Sequence, residues 1–356
     1  MFVVSSVEID TLLDALERLQ GTGPEFDGFL ANHGPMAAEA LTRIGGAAVV
    51  PRWVDHYLPR LAAAPEVIKG IGDDDWPEHL GQERLFGDWT AYLRRQAAET
   101  DWRTLLRRWW PRLLPGLAAS ATHGVIRTAH AIRSLQVAGD RPDPLLIDEL
   151  AQGLGFWAAR YETLPGRPQL TGQLAAVEAT RRLPRMEPSM PSDGPGVSGR
   201  LRALRRLDGL AEAYDEWVAP PTPDEALDEL IGAAARVVAA RPDAPIAFCH
   251  AVTAPAAVRL VLPLLSPDQQ RASVAASWQV VGGIVAAFAY PRMDAEALVA
   301  EADPDVLLAE LNGRAIEHGD EHVIKLTEAA EREFARSGDS TLLVAADRFR
   351  DRVPRG

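Results

Sequence analysis

Apolar residues recur at spacings of three and four along nearly the whole of this 356-residue chain, and that period fits a helical backbone. Val7–Leu19 (VEIDTLLDALERL) shows it with its acids early and Arg18 late, the polarity a helix dipole favours. The period runs on through Pro51–Ala63, then Phe86–Leu135 with breaks at Pro111 and Pro115, then Pro142–Tyr161. It resumes in Leu201–Trp217, Asp224–Ala240, Pro245–Leu265, Ala272–Tyr290, Ala295–Leu311, Glu317–Phe334 and Thr341–Phe349. No run of alternating β-branched residues between hairpin turns interrupts it. The expected fold class is all-α, a large multi-helix globular bundle. Residues 1–356 read as a single domain, with the proline-rich stretch Leu164–Arg200 as a loop or lid.

Composition narrows the function. An apolar share of 47% suits a chain that buries a large core, and a net charge of −13 speaks against nucleic acid or an anionic membrane as partner. Ala272–Tyr290 is long and charge-free, but Ser273, Ser277, Gln279 and the pair Gly282–Gly283 mark it as a buried core helix. The first residues lack the basic region of a secretory signal, so the expected compartment is the cytoplasm. A single cysteine, Cys249, permits neither an intrachain disulfide nor a thiolate cluster. Trp89, Trp109, Trp110, Phe156 and Trp157 are either core or the walls of a pocket for a flat ring.

The residues suited to chemistry are histidines beside small residues. Ala118–Leu135 carries His123 and His130 seven positions apart, which places both on one face of a single helix. His33-Gly34, His123-Gly124 and His250-Ala251 each open an Ala-rich run, so three imidazoles near helix starts become candidates for one cavity. His318 and His322 have the i, i+4 spacing of zinc sites, but Gly319 and Asp320 place a helix boundary between them. His56 and His79 sit among charged residues and are expected at the surface. Arg127, one turn beyond His123, pairs with a carboxylate near the site, with an anionic substrate, or with a surface acid. Gly194-Pro-Gly196-Val-Ser-Gly199 matches a dinucleotide fingerprint in letters, yet no strand precedes it, so no NAD(P) or flavin site is expected.

Four short motifs together resemble the questin oxidase family. They are Asn32-His33-Gly34-Pro35-Met36, Thr122-His123-Gly124-Val125-Ile126-Arg127 with His130, Phe248-Cys249-His250-Ala251-Val252-Thr253, and Glu321-His322-Val323-Ile324-Lys325. The resemblance runs from about Asp14 to about Ala335. It implies a non-haem Fe(II) dioxygenase that takes dioxygen and a small aromatic, anthraquinone-like substrate of secondary metabolism. It further implies a metal held in the helical core by His33, His123, His130, His250 and a carboxylated Lys325; His322, outside that set, is read beside it as a hydrogen-bond partner or an acid/base group near the substrate, and Arg127 as the second catalytic candidate. Two signals of its own attach to Lys325. Val323, Ile324 and Leu326 flank it so that it can face the core, and arginine, which supplies nearly all the other positive charge, cannot form a carbamate. The alternative is an exposed lysine paired with Glu321 or Glu328. The readings from other classes are a helical binding protein with structural histidines and a zinc hydrolase.

Overall fold

The computed structural model describes residues 6–292 and 303–356. Among them it has sixteen α-helices and one antiparallel ribbon, Glu25–Phe26 against Leu30–Ala31, so the fold is all-α. The ribbon turns through Asp27 and Gly28, both at positive φ, and two residues per strand are too few for a period to register. The chain separates into two compact units, Met1–Thr163 and Leu164–Gly356.

The first unit contains the helices Ser6–Leu19, Gly34–Arg43, Val50–Tyr57, Phe86–Glu99, Trp102–Leu113, His123–Ala138 and Pro144–Ala159. Pro144–Ala159 lies at its centre, against both His123–Ala138 and Phe86–Glu99. Glycine sets that crossing: a Cβ on Gly124 would stand 2.7 Å from the Cα of Trp157. The tryptophans considered as pocket walls are core. Trp89, Trp109, Trp110 and Trp157 are fully buried and meet edge to face, Trp110 and Trp157 at 5.3 Å with planes 88° apart.

The second unit contains Ala176–Arg182, Gly196–Arg202, Leu210–Ala213, Pro223–Ala240, Pro245–Val261, Pro267–Phe288, Pro304–His318, Glu321–Ser337 and Thr341–Arg350. Capping boxes start two of these, Thr222 with Glu225 and Ser266 with Gln269. Pro245–Leu264 and Pro267–Phe288 are long and apolar enough to span a membrane, but 83% and 72% of those spans are buried inside the protein, as core helices are. Pro245–Val261 is flanked by Pro223–Ala240, Pro267–Phe288 and Glu321–Ser337.

Three expectations change. Leu201–Trp217 is not one helix: its first part ends as a turn at Arg206, Leu207 is extended, and Gly209 at φ +74° starts the short helix Leu210–Ala213. Of Ala295–Leu311, residues 295–302 lie outside the described range, and the observed helix is Pro304–His318. The stretch 164–200 is no loose loop. It carries Ala176–Arg182, buries Leu183 and Met186, and is pinned by arginines on main-chain carbonyls. Arg185 donates to Thr180 O at 2.8 Å and Ala289 O at 3.1 Å, and Arg200 to Glu187 O at 2.7 Å and Ala287 O at 3.1 Å. A planar guanidinium serves several carbonyls at once where an ammonium would not, which gives the arginine bias a structural use.

Candidate metal centre

In the first unit, the segment Asn32-His33-Gly34-Pro35 is held in place by hydrogen bonds of its own amides. The Asn32 amide donates to Gly23 O (2.8 Å) and Thr22 Oγ1 (3.0 Å), while its carbonyl oxygen accepts from Gly34 N (2.9 Å). His33 takes the N-cap position of Gly34–Arg43, and its backbone N–H donates to the Tyr57 hydroxyl at 2.9 Å. Its imidazole makes no cap bond.

His123 is reached differently. The helix expected from Ala118 begins only at His123, because Ser120, Ala121 and Thr122 take φ of +47°, +53° and +74°. Non-glycine residues pay roughly 1–2 kcal/mol each for that region, so the turn stores strain immediately before the histidine. It also aims the Ser120 carbonyl at His123 Nδ1, 2.5 Å away. With Nδ1–H donated there, Nε2 is the nitrogen left to ligate. The His33 and His123 rings lie 4.5 Å apart, and a ligand nitrogen of each lies within 4.8 Å of the other.

His130 stands two turns on along the same helix, beside Glu39 rather than in that pair. Its Nδ1 is 2.8 Å from Glu39 Oε2. Arg133 Nε and Arg43 Nε reach Glu39 Oε1 at 2.8 and 2.7 Å. Burial pushes the Glu39 carboxyl up, but Arg133, the His130 hydrogen bond and Arg43 outweigh it and hold it well below the usual carboxylate range. Arg127 is 2% exposed, which corrects the surface-pair reading. It clasps Glu149 through Nε (2.6 Å) and Nη2 (2.8 Å), fastening His123–Ala138 to Pro144–Ala159, and Nη1 makes no hydrogen bond. Burial raises the Glu149 carboxyl in spite of that partner.

In the second unit, His250 on Pro245–Val261 and His322 on Glu321–Ser337 approach edge to face, with ring centres 5.7 Å apart. Asp320 caps the second of these helices, accepting from His322 N (2.9 Å) and Val323 N (3.0 Å), and its Oδ1 lies 3.7 Å from His322 Nδ1. Burial raises Asp320, yet the His322 hydrogen bond and charge carry it below the usual range. Asp320, Glu321 and His322 each place a ligand atom within 4.8 Å of the others, a group that could hold a cation. Lys325 follows one turn later, 2% exposed. Burial brings its amine down to about 8, with Cys249, Glu321 and Asp320 resisting. Burial likewise pushes the Cys249 thiol up to about 12.

The remaining histidines divide. Gly319 ends one helix and Asp320 starts the next, so His318 leaves the His322 face and bonds Val353 O at 3.1 Å. His56 is exposed. His79 is not: Lys69 Nζ at 3.2 Å and Asp75 at 3.4 Å cover its ring, and Trp89 bonds its carbonyl. The sequence reading missed Glu39, Asp320 and Ser120. Glu39 had a signal, as the one charge in the run Pro35–Leu41.

A model of the questin oxidase-like family matches residues 54–330. The chain belongs to that family, whose name is that of an oxidase. His123, His130, His250, His322 and Lys325 fall inside the matched span, and His33 lies before it. No curated protein matches the chain.

Proposed function

We propose that this protein is a non-haem Fe(II)-dependent dioxygenase that oxygenates or cleaves an aromatic, anthraquinone-like substrate in secondary metabolism, in the cytoplasm. The ligands in this reading are His33, His123, His130, His250 and carboxylated Lys325, the set the family resemblance supplies. The observation that carries it is the burial of Lys325 on a chain of the questin oxidase-like family. An ammonium repels a cation; an amine brought down to about 8 is neutral in roughly a tenth to a fifth of molecules near physiological pH, on the order of a hundred times the share at the ordinary lysine value. That amine adds carbon dioxide, forming an N–C bond and releasing one proton, and becomes an anionic oxygen donor.

Donors of these types suit a ferrous ion. His123 and His130 each have Nδ1 engaged by an oxygen, which leaves Nε2 for the metal. Imidazole nitrogens with one hard anionic oxygen suit iron among the first-row metals. Bound Fe(II) would supply the one-electron chemistry that triplet dioxygen requires. His322, with Nδ1 toward the Asp320 carboxylate, takes or returns a phenolic proton at Nε2. Arg127, its fork committed to Glu149, acts by holding the His123–His130 helix in place.

A zinc hydrolase is the second reading, favoured by the Asp320–Glu321–His322 group. Anaerobic reconstitution with Fe(II), metal analysis and oxygen uptake with polycyclic phenols separate the readings. The dioxygenase binds about one iron and consumes oxygen with substrate. His→Ala at His33, His123, His130 or His250 lowers the iron content, and His56→Ala does not. Failure to retain iron returns the histidines to structural roles, and turnover without oxygen uptake sinks the oxygenase.

A further inference from the structure

The pairing of Glu39 with His130 carries an assignment beyond the ligand set. Glu39 is 1% exposed, on Gly34–Arg43, and His130 lies on His123–Ala138. A buried carboxylate with guanidinium nitrogens of Arg133 and Arg43 at 2.8 and 2.7 Å of one oxygen is an acceptor only. His130 Nδ1 stands 2.8 Å from the other oxygen, which Arg133 Nη2 also bonds. Arg133 Nη2 approaches Nδ1 as well, at 3.4 Å, and would donate to it if Nδ1 were bare. A bare Nδ1 would set its lone pair against a carboxylate oxygen 2.8 Å away, so the proton is on Nδ1.

We propose that Glu39 is a positioning residue for His130, fixing the ring as the Nδ1–H tautomer so that the Nε2 lone pair is the one presented to a metal ion. The inference rests on His130 being a ligand, as in the proposed function. Its physical basis is the carboxylate–histidine–metal relay: the carboxylate fixes ring orientation and makes the ligating nitrogen more basic. Arg43 and Arg133 keep the buried carboxylate compensated.

Two measurements test it. The first needs no variant: nitrogen-15 histidine NMR of the metal-free protein, with His130 assigned by its loss in His130→Ala. Nδ1 should carry the proton in the wild type, and a bare Nδ1 overturns the proposal. The second is titration with Co(II), read by its visible absorption. Glu39→Gln keeps the side-chain volume but removes the charge and offers an amide donor, and it should weaken Co(II) binding about 10- to 100-fold. If Glu39→Gln binds like wild type while His130→Ala does not, the positioning role is overturned and the ligand assignment stands. If His130→Ala binds like wild type, the ligand assignment falls and this proposal with it.

Discussion

The carbonyl of Ser120 lies 2.5 Å from Nδ1 of His123, aimed by three successive non-glycine residues in the left-handed region. Strain and ligand orientation are thus the same feature of the backbone. Ala121→Gly should relieve about 1–2 kcal/mol of it and return about half as much through unfolded-chain entropy. Thermal unfolding should move up by a few degrees while metal affinity falls. A lower midpoint together with unchanged affinity would show that the turn is not a strained support.

Lys325 gives a pH signature to the metal-free protein in carbon dioxide-free buffer. Its amine is about 8 folded and 10.5 as the ordinary value. A base depressed in the folded state contributes stability that is complete above the unfolded value and is lost as pH falls through the folded one. Stability should therefore rise between about pH 8 and 10.5, by roughly 3 kcal/mol. Lys325→Met should remove that slope and be the more stable at pH 7 in urea titrations. The same slope in both proteins would place the titration elsewhere.

Glu39 has the opposite sign. Its carboxyl is held well below 4.5, so its contribution is full above 4.5 and disappears as pH falls through the folded value. Acid unfolding of Glu39→Gln should begin from a lower plateau and fall less steeply below pH 4.5. An unaltered acid limb would mean that the Arg133 and Arg43 contacts do not stabilise the charged form.

The Arg127–Glu149 clasp is bidentate and buried. Arg127→Met leaves Glu149 charged without its partner and should cost about 3–5 kcal/mol, whereas Arg127→Met with Glu149→Met should recover most of that. Urea midpoints for the two variants check it. Equal losses in single and double variants would count against a pairwise role.

At Gly124, an added methyl would meet the Trp157 backbone at 2.7 Å, so Gly124→Ala should destabilise by about 1–3 kcal/mol despite alanine's better helix propensity. Thermal unfolding of that variant decides the point, and a stabilised protein would contradict the helix crossing.

What the sequence determined by itself was whatever depends on near neighbours. The 3.6 period specified an all-α chain, and Gly319-Asp320 specified the break that takes His318 off the His322 face. Near-neighbour signals could not reveal that Ala118–Leu135 opens in a left-handed turn, since nothing in Ser120-Ala121-Thr122 asks for positive φ. They could not divide Leu201–Trp217 correctly either, where extended Leu207 and Gly209 at φ +74° interrupt an amphipathic pattern. Only the tertiary structure joined Glu39 to His130 across 91 residues, buried His79, and turned Arg127 onto Glu149. Those pairings depend on how helices cross, and the crossing is set by which side chains leave room, as Gly124 does for Trp157. Lys325 needed both: its local sequence gives it an apolar flank, and the packing of its helix against Pro245–Val261 and Thr341–Arg350 buries the amine and shifts its proton.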